Sequence, residues 1–173
     1  LELLDNTRFS SEFNFKNVEV STLIVGAISL DTVMLIAECN IINFQIGNIK
    51  GEDRSLSIDN SVIGELILKI SALTKIFING GSISNLVLSE SNEKESIVNI
   101  EKTTIVKLKF ERVFNNGLIT LRELQIPPKG LVSFRSSNLG KADFIYCNFS
   151  KANLEFENCK ITEAFFSETE FPK

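Results

Sequence analysis

A pattern of apolar residues recurs along this chain every 20 to 22 residues. Each unit holds a pair of apolar residues two apart, a third five residues later, and two more after a further three and five residues. The five units are Phe13/Phe15/Val20/Leu23/Val25, Met34/Ile36/Ile41/Phe44/Ile46, Leu56/Ile58/Ile63/Leu66/Leu68, Ile76/Ile78/Ile83/Leu86/Leu88 and Val98/Ile100/Ile105/Leu108/Phe110. From Phe15 to Leu121 the second member returns at intervals of 21, 22, 20, 22 and 21 residues. Spacing this regular predicts a solenoid in which each unit forms one coil.

The residues within each unit indicate β-strands. Val, Ile, Thr and Phe dominate the periodic positions and alternate with polar residues, as expected of strands with one buried face. Between the apolar segments lie turn-forming stretches such as Asn79-Gly80-Gly81-Ser82. A leucine-rich repeat is the main alternative, but the Asn or Cys that it places three residues after its last leucine is absent here. The sequence therefore predicts an all-β fold, a parallel β-helix.

Charged residues interrupt the pattern at two places, both within 22-residue intervals. Solenoids extrude insertions as loops without disturbing the stack, and such loops often carry partner contacts. These two loops are the candidate partner contacts, although a charge run of this kind is more often a solvated loop without function. The candidate contact residues are Glu52, Asp53, Arg54, Glu93, Lys94 and Glu95.

The C-terminal part of the chain divides into units of five residues. The units begin at Ser137 and are centred on Leu139, Phe144, Phe149, Leu154, Cys159, Ala164 and Thr169. In the first four, the residue two before the centre is small: Ser137, Ala142, Cys147 and Ala152. This pattern resembles the A(D/N)LXX motif of the pentapeptide-repeat family, most clearly over residues 137–171.

The resemblance implies a right-handed, four-sided parallel β-helix with four pentapeptides per coil. Its central Leu or Phe and the small residue two before it both point into a narrow interior. We expect one domain over residues 1–173, with about eight coils: irregular ones over about 11–126 and pentapeptide-like ones over 131–171. The chain opens with Leu1 instead of Met, and Phe171-Pro172-Lys173 follows the last repeat without a cap, which suggests a domain excised from a longer protein.

Composition argues against several function classes. The 173 residues include no histidine, which removes His-based triads and most zinc sites, and we expect no catalytic residue, no metal and no cofactor. The net charge is −4 with interspersed signs, which argues against direct nucleic-acid binding. No apolar run is long enough for a membrane-spanning helix. The three cysteines fit buried free thiols, and the expected compartment is the cytoplasm.

These features favour a non-enzymatic interaction or scaffold domain whose partner is another protein. A homodimer through the C-terminal coil is a further expectation, because Phe165, Phe166 and Phe171 lie there. The resemblance also implies an alternative, since some pentapeptide-repeat proteins bind gyrase with an acidic rod that imitates DNA. Acidic residues outnumber basic ones only mildly in the tail. A carbohydrate-active β-helix is a third option, and it requires carboxylates stacked in line on one sheet face.

Overall fold

The computed structural model describes residues 1–3, 8–9, 13–26, 28–30, 32–47, 49–50, 54–69, 73–91 and 95–172. Within these residues the chain forms eighteen β-strands and no helix. The strands are β1 (Glu2–Leu3), β2 (Arg8–Phe9), β3 (Phe13–Lys16), β4 (Glu19–Val25), β5 (Ile28–Leu30), β6 (Val33–Ala37), β7 (Asn40–Ile46), β8 (Ile49–Lys50), β9 (Ser55–Asp59), β10 (Val62–Lys69), β11 (Lys75–Asn79), β12 (Ser82–Ser91), β13 (Ile97–Glu101), β14 (Thr104–Arg122), β15 (Leu131–Arg135), β16 (Asn138–Ile145), β17 (Asn153–Glu157) and β18 (Lys160–Ser167).

The strands stack in parallel along three sides of a solenoid. The β3 side holds β3, β6, β9, β11, β13, the end of β14, β16 and β18. The β4 side holds β1, β4, β7, β10, β12, the start of β14, β15 and β17, and the β5 side holds β2, β5 and β8. Single bridges join Thr104, at the start of β14, to Gln125, Asn148 and Glu170, and they continue on the β4 side the row of Asn40, Val62 and Ser82. The predicted all-β parallel solenoid is confirmed.

The solenoid has about six complete turns, slightly fewer than the eight coils expected, and the β3 and β4 sides each hold eight stacked strands. The later coils are longer than the twenty residues that four pentapeptides would take. Lys107 pairs with Leu131 and Asn138 pairs with Lys160, which are intervals of 24 and 22 residues. The first coil is also described only in part.

The register of the upstream coils matches the apolar repeat residue by residue. Phe15 pairs with Ile36, and the same row continues through Ile58, Ile78, Ile100 and Leu121. Members of this row from Ile36 onward are almost fully buried. Because side chains alternate across a strand, one buried member in a row fixes which residues of the whole strand face the core. The repeat read from the sequence is therefore the inter-coil register.

The pentapeptide frame expected for the last coil was wrong by two residues. Leu139 pairs with Ile161 and Phe144 with Phe166, not with Cys159 and Ala164 as four strict fives would require. The true centres of the last coil are Phe156, Ile161, Phe166 and Phe171, again five apart. Seven residues instead of five separate Phe149 from Phe156, which makes this coil 22 residues long. Cys159, Ala164 and Thr169 therefore occupy the small position two before a centre, and the motif continues through the end of the chain.

One corner of every coil adopts the left-handed backbone conformation. Its residues all have positive φ: Asn17, Glu38, Asn60, Gly80, Lys102, Glu123, Tyr146 and Glu168. The amide of each of the first seven donates to a carbonyl of the next coil, for example from Glu38 to Asp59 at 2.9 Å and from Tyr146 to Ser167 at 2.8 Å. Left-handed backbone costs a non-glycine residue about 1–2 kcal/mol. The repeated hydrogen bonds between coils offset that cost.

In six of the eight coils the residue after this corner is small, and its side chain turns inward against backbone; the exceptions are Val18 and Leu124. The Ser61 hydroxyl donates to the Asp59 carbonyl at 3.0 Å and accepts from the Cys39 amide of the previous coil at 3.1 Å. Thr169 makes the equivalent contacts in the last coil. Gly81 holds this position in another coil, where a Cβ atom would overlap the Ser61 carbonyl oxygen and where φ is +71°. These contacts explain the small residue of the pentapeptide motif.

Replacing Phe149 with Asp tests the register. Phe149 is 1% exposed, and an unpaired carboxylate in its place should lower the free energy of unfolding by at least about 4 kcal/mol. The same substitution at Phe114, which is 53% exposed on β14, should cost less than about 1 kcal/mol. Urea denaturation followed by circular dichroism measures both values. Equal losses would contradict the register.

Candidate functional site

Only part of the predicted partner-contact set lies among the described residues. Arg54 is half-buried at the start of β9, and Glu95 is exposed just before β13. Glu52, Asp53, Glu93 and Lys94 lie outside the described residues. The placement of Arg54 and Glu95 shows where each loop rejoins the solenoid.

The two loops rejoin the solenoid along the same edge. The Thr74 amide donates to the Arg54 carbonyl at 2.9 Å, and the Ile97 amide donates to the Thr74 carbonyl at 2.9 Å. We call Arg54, Thr74, Glu95 and Ser96 the stem edge. Its two loop ends lie two coils apart, which at the usual strand spacing is about 10 Å. The structure thus brings together two insertions that are about forty residues apart in the sequence.

A buried asparagine fixes the Glu95 end of the stem edge. The Asn115 side chain is 1% exposed and bonds both backbone groups of Ser96. Its Oδ1 accepts from the Ser96 amide at 3.0 Å, and its Nδ2 donates to the Ser96 carbonyl at 2.9 Å. The same Oδ1 accepts from the Gly117 amide at 3.0 Å. The Asn115 side chain therefore makes the hydrogen bonds to Ser96 that a neighbouring strand would otherwise make, at a place where the strand pairing is interrupted.

The interruption is a bulge in β14. Between Asn115 and Leu118 the register with β16 shifts by one residue. Gly117 is required there because a Cβ atom would overlap the Ser96 carbonyl oxygen. Bulges of this kind redirect the chain locally. Here the bulge turns the Asn115 side chain inward, where it bonds Ser96 at the end of the second loop. The apolar repeat did not predict this role of Asn115.

Loss of the Asn115 amide should loosen the stem edge. We expect Asn115→Leu to lower the free energy of unfolding by about 2–3 kcal/mol, because the buried amide and carbonyl of Ser96 lose their partners. Amide hydrogen exchange at Ser96 should accelerate at the same time. Asn116→Leu, at the exposed neighbouring amide, is the matched control and should leave both measurements near wild type. Unchanged exchange at Ser96 in the Asn115 variant would refute the anchoring role.

The last coil exposes side chains of the type that fill the core elsewhere. Phe110, Phe134 and Phe156 stack with centroid distances of 4.7 and 5.1 Å, and Phe144 stacks on Phe166 at 4.9 Å. Phe110 and Phe134 are almost fully buried, but the last rings of these stacks are not covered. We call Phe156, Phe166 and Phe171 the aromatic end. Their exposed fractions are 55%, 49% and 41%.

The aromatic end differs from the residues that the sequence suggested. Phe166 and Phe171 belong to it as expected. Phe165 instead points outward on the β3 side, where it pairs with Asp143. Phe156 was missed because the five-residue frame placed Leu154 at the centre of its unit. Apolar residues are five apart before Phe149 and again after Phe156, but these two residues are seven apart. That change of spacing is the signal that could have identified Phe156 as a centre.

The strand register keeps carboxylates apart on the outer faces. Asn79 donates from Nδ2 to the Asp59 Oδ1 atom at 3.2 Å, and Asn85 donates likewise to Glu65 at 2.9 Å. Among the described residues, no registered strand pair stacks one carboxylate on another. The in-line carboxylates that a carbohydrate-active β-helix needs are not formed by these pairs. Nor do the described residues contain a group of three or more His, Cys, Asp or Glu side chains able to hold a metal ion.

The three thiols are free and differ in access to solvent. Cys39 and Cys147 are buried, and Cys159 is half-buried beside a groove of about 410 Å³ lined by Phe114, Phe156 and Lys160. The Cys147 thiol donates to the Leu121 carbonyl at 3.2 Å. Burial raises the pKa of Cys147 above its ordinary value. Its thiol therefore stays protonated and poorly nucleophilic at neutral pH.

We expect a disulfide reagent such as DTNB to modify one thiol in the native protein at pH 8, that of Cys159. All three should react in denaturant. Absorbance of the released thiolate gives the stoichiometry, and Cys159→Ser should abolish the native reaction. Rapid native labelling of Cys147 would contradict both its burial and its raised pKa.

Comparison with known proteins finds one family match, and it lies in the C-terminal coils. The family described as pentapeptide repeats (8 copies) matches residues 132–155. The resemblance to the pentapeptide-repeat family is confirmed. The match covers most of β15 on the β4 side, all of β16 on the β3 side, and the start of β17. No curated protein and no solved structure matches the chain. The described residues form no helix long and apolar enough to cross a membrane.

Proposed function

We propose that this solenoid is a non-enzymatic interaction domain that holds another protein on a rigid support. The aromatic end carries this proposal: Phe156, Phe166 and Phe171 continue the stacked core outward onto the surface. Large exposed apolar groups of this kind mark protein contacts more often than catalytic sites. Pentapeptide-repeat solenoids are in general non-enzymatic, which agrees with this role.

The stem edge is the second proposed contact. Its loops carry both signs of charge, with Glu52, Asp53 and Arg54 in one and Glu93, Lys94 and Glu95 in the other. Charged loops on a rigid scaffold affect the rate and specificity of association more than its strength. We infer that the aromatic end supplies the apolar part of the interface and that the loops help to select the partner.

A second candidate function is imitation of DNA toward a gyrase-type topoisomerase. The observation that favours it is the charge of the last coil, residues 153–172. Five acidic residues stand there against one basic residue: Glu155, Glu157, Glu163, Glu168 and Glu170 against Lys160. A negative surface of this kind attracts basic surfaces that normally meet phosphates.

Capture from nuclease-treated lysate of the source organism tests these functions. Wild-type domain, Glu93→Lys/Glu95→Lys and Phe156→Ser/Phe166→Ser are immobilised in parallel, each after circular dichroism shows that it is folded. We expect the wild type to retain a protein that the aromatic-end variant loses and that the loop variant retains more weakly.

An unrelated acidic β-protein of similar charge is the control for nonspecific capture. Topoisomerase subunits in the wild-type eluate would favour DNA imitation. Proteins retained equally by the wild type and both variants would contradict the proposed surfaces. Sedimentation equilibrium of the purified domain measures the homodimer, which is the alternative occupant of the aromatic end.

A further inference from the structure

Two dipeptides of this chain are chemically labile, because asparagine followed by glycine is prone to deamidation. They are Asn79-Gly80 and Asn116-Gly117. In such a pair the glycine has no side chain to hinder attack of its own amide nitrogen on the asparagine side chain. That attack begins the conversion of asparagine into aspartate or isoaspartate. Both asparagines are exposed to water, so exposure alone does not distinguish them.

Hydrogen bonds to neighbouring coils hold the Asn79-Gly80 pair in place. Gly80 lies at the left-handed corner, and its amide donates to the Glu101 carbonyl of the next coil at 3.0 Å. The Asn79 Nδ2 atom donates to the Asp59 Oδ1 atom at 3.2 Å. Asn79 is also registered with Asp59 in one direction and with Glu101 in the other. The nitrogen that would attack and the amide that would leave are therefore both restrained.

The Asn116-Gly117 pair lies in the bulge of β14, in the middle of the stack. Among the described strands, neither residue has a registered partner on β13 or β16. No hydrogen bond holds the Asn116 side chain to any of the described residues. The Gly117 amide donates at 3.0 Å to the Asn115 Oδ1 atom, which belongs to a side chain of the same strand and not to a neighbouring coil. The Asn115 side chain therefore restrains the nitrogen that would attack Asn116.

We propose that Asn116 is a site of spontaneous deamidation in the folded protein and that Asn115 limits its rate. The Gly117 amide loses its proton to water, and its nitrogen forms a bond to the Asn116 Cγ atom. The bond between Cγ and Nδ2 breaks, and Nδ2 leaves as ammonia after the proton returns to it through water. Water then opens the cyclic imide at either of its carbonyls, which gives aspartate or isoaspartate. The net reaction consumes water and releases ammonia, with no change of oxidation state.

Isoaspartate at this position changes the backbone at the anchor of the stem edge. It places the Cβ atom of residue 116 in the main chain, which lengthens the bulge by one atom. Gly117 has no room for such a shift, because it packs directly against the Ser96 carbonyl. Its amide shares the Asn115 side chain with the two backbone groups of Ser96. Isoaspartate at 116 should therefore release the Glu95 end of the stem edge.

Ageing of the full 173-residue chain tests the proposal. The protein is kept at 37 °C and pH 8 for several weeks, and peptide mapping by mass spectrometry measures aspartate and isoaspartate at residues 79 and 116. We expect Asn116 to react about tenfold faster than Asn79, whose hydrogen bonds to neighbouring coils must break first. The same chain in urea, where neither pair is restrained, is the reference and should react at similar rates at both positions.

Three results of the ageing experiment would overturn the proposal. They are equal rates at the two asparagines in the native chain, a faster reaction at Asn79, and no product at Asn116. Asn116→Gln is the control for the assignment of the product. A glutamine side chain would have to close a larger ring, so this variant should form no product at residue 116 on the same timescale.

Asn115→Leu tests the role of Asn115. This substitution removes the acceptor of the Gly117 amide and should speed the reaction at Asn116 about fivefold, while Asn79 in the same molecule keeps its wild-type rate. An unchanged rate at Asn116 would refute the restraint by Asn115. An equal rise at both asparagines would refute it as well, because it would show that the variant acts by loosening the whole stack.

Amide hydrogen exchange at Ser96 tests the effect on the stem edge. The isoaspartate form, separated from unreacted protein by ion exchange through its added negative charge, should exchange faster at Ser96 than the fresh protein. Asn116→Asp changes the side chain but not the length of the backbone, and it should exchange at the wild-type rate. Wild-type exchange in the isoaspartate form, or equal acceleration in Asn116→Asp, would refute the proposed release.

Discussion

The structure depends on hydrogen bonds between coils at the left-handed corner. At this corner the amide of one coil donates to a carbonyl of the next, and in six of the eight coils a small residue follows and turns its side chain against backbone. Ser61 shows both parts of the arrangement: its hydroxyl donates within its own coil and accepts from the Cys39 amide. These bonds leave no freedom for one coil to slip against another. The stacking of core residues, the order of charges and the positions of the loops all follow from that register.

A stack held in this way must expose core-type residues wherever it is not covered. The row Phe110, Phe134 and Phe156 has the same geometry at each step, yet only the last ring is exposed. The repeat itself therefore places exposed rings on the last coil, in line with the buried rings of the coils before it. The proposed interaction surface and the core are the same structural element at different positions in the stack.

The upstream register could be predicted because one apolar row dominates each strand. Phe15, Ile36 and Ile58 recur at the same place in every unit, and burial leaves one solution for their alignment. The last coil was misread because Leu154 and Phe156 are both apolar and two residues apart, so the sequence allows two frames of five. Stacking of Phe156 on Phe134 decides between them. The Asn115 anchor could not be predicted, since an amide in a strand has no apolar period and its role depends on a bulge.

The two proposed surfaces are mechanically linked by the rigidity of the stack. Ser96 on the stem edge contacts Asn115, which pairs with Leu139, which pairs with Ile161 on the last coil. Three strand spacings separate them, about 14 Å along the solenoid. A partner that touches both surfaces therefore meets them at a fixed separation, without the entropic cost of ordering a linker. Loops can change in length or charge without altering that separation, because each change is confined to its own corner. In the proposed function, the fold therefore keeps the apolar contact of the aromatic end separate from the selection of the partner by the loops.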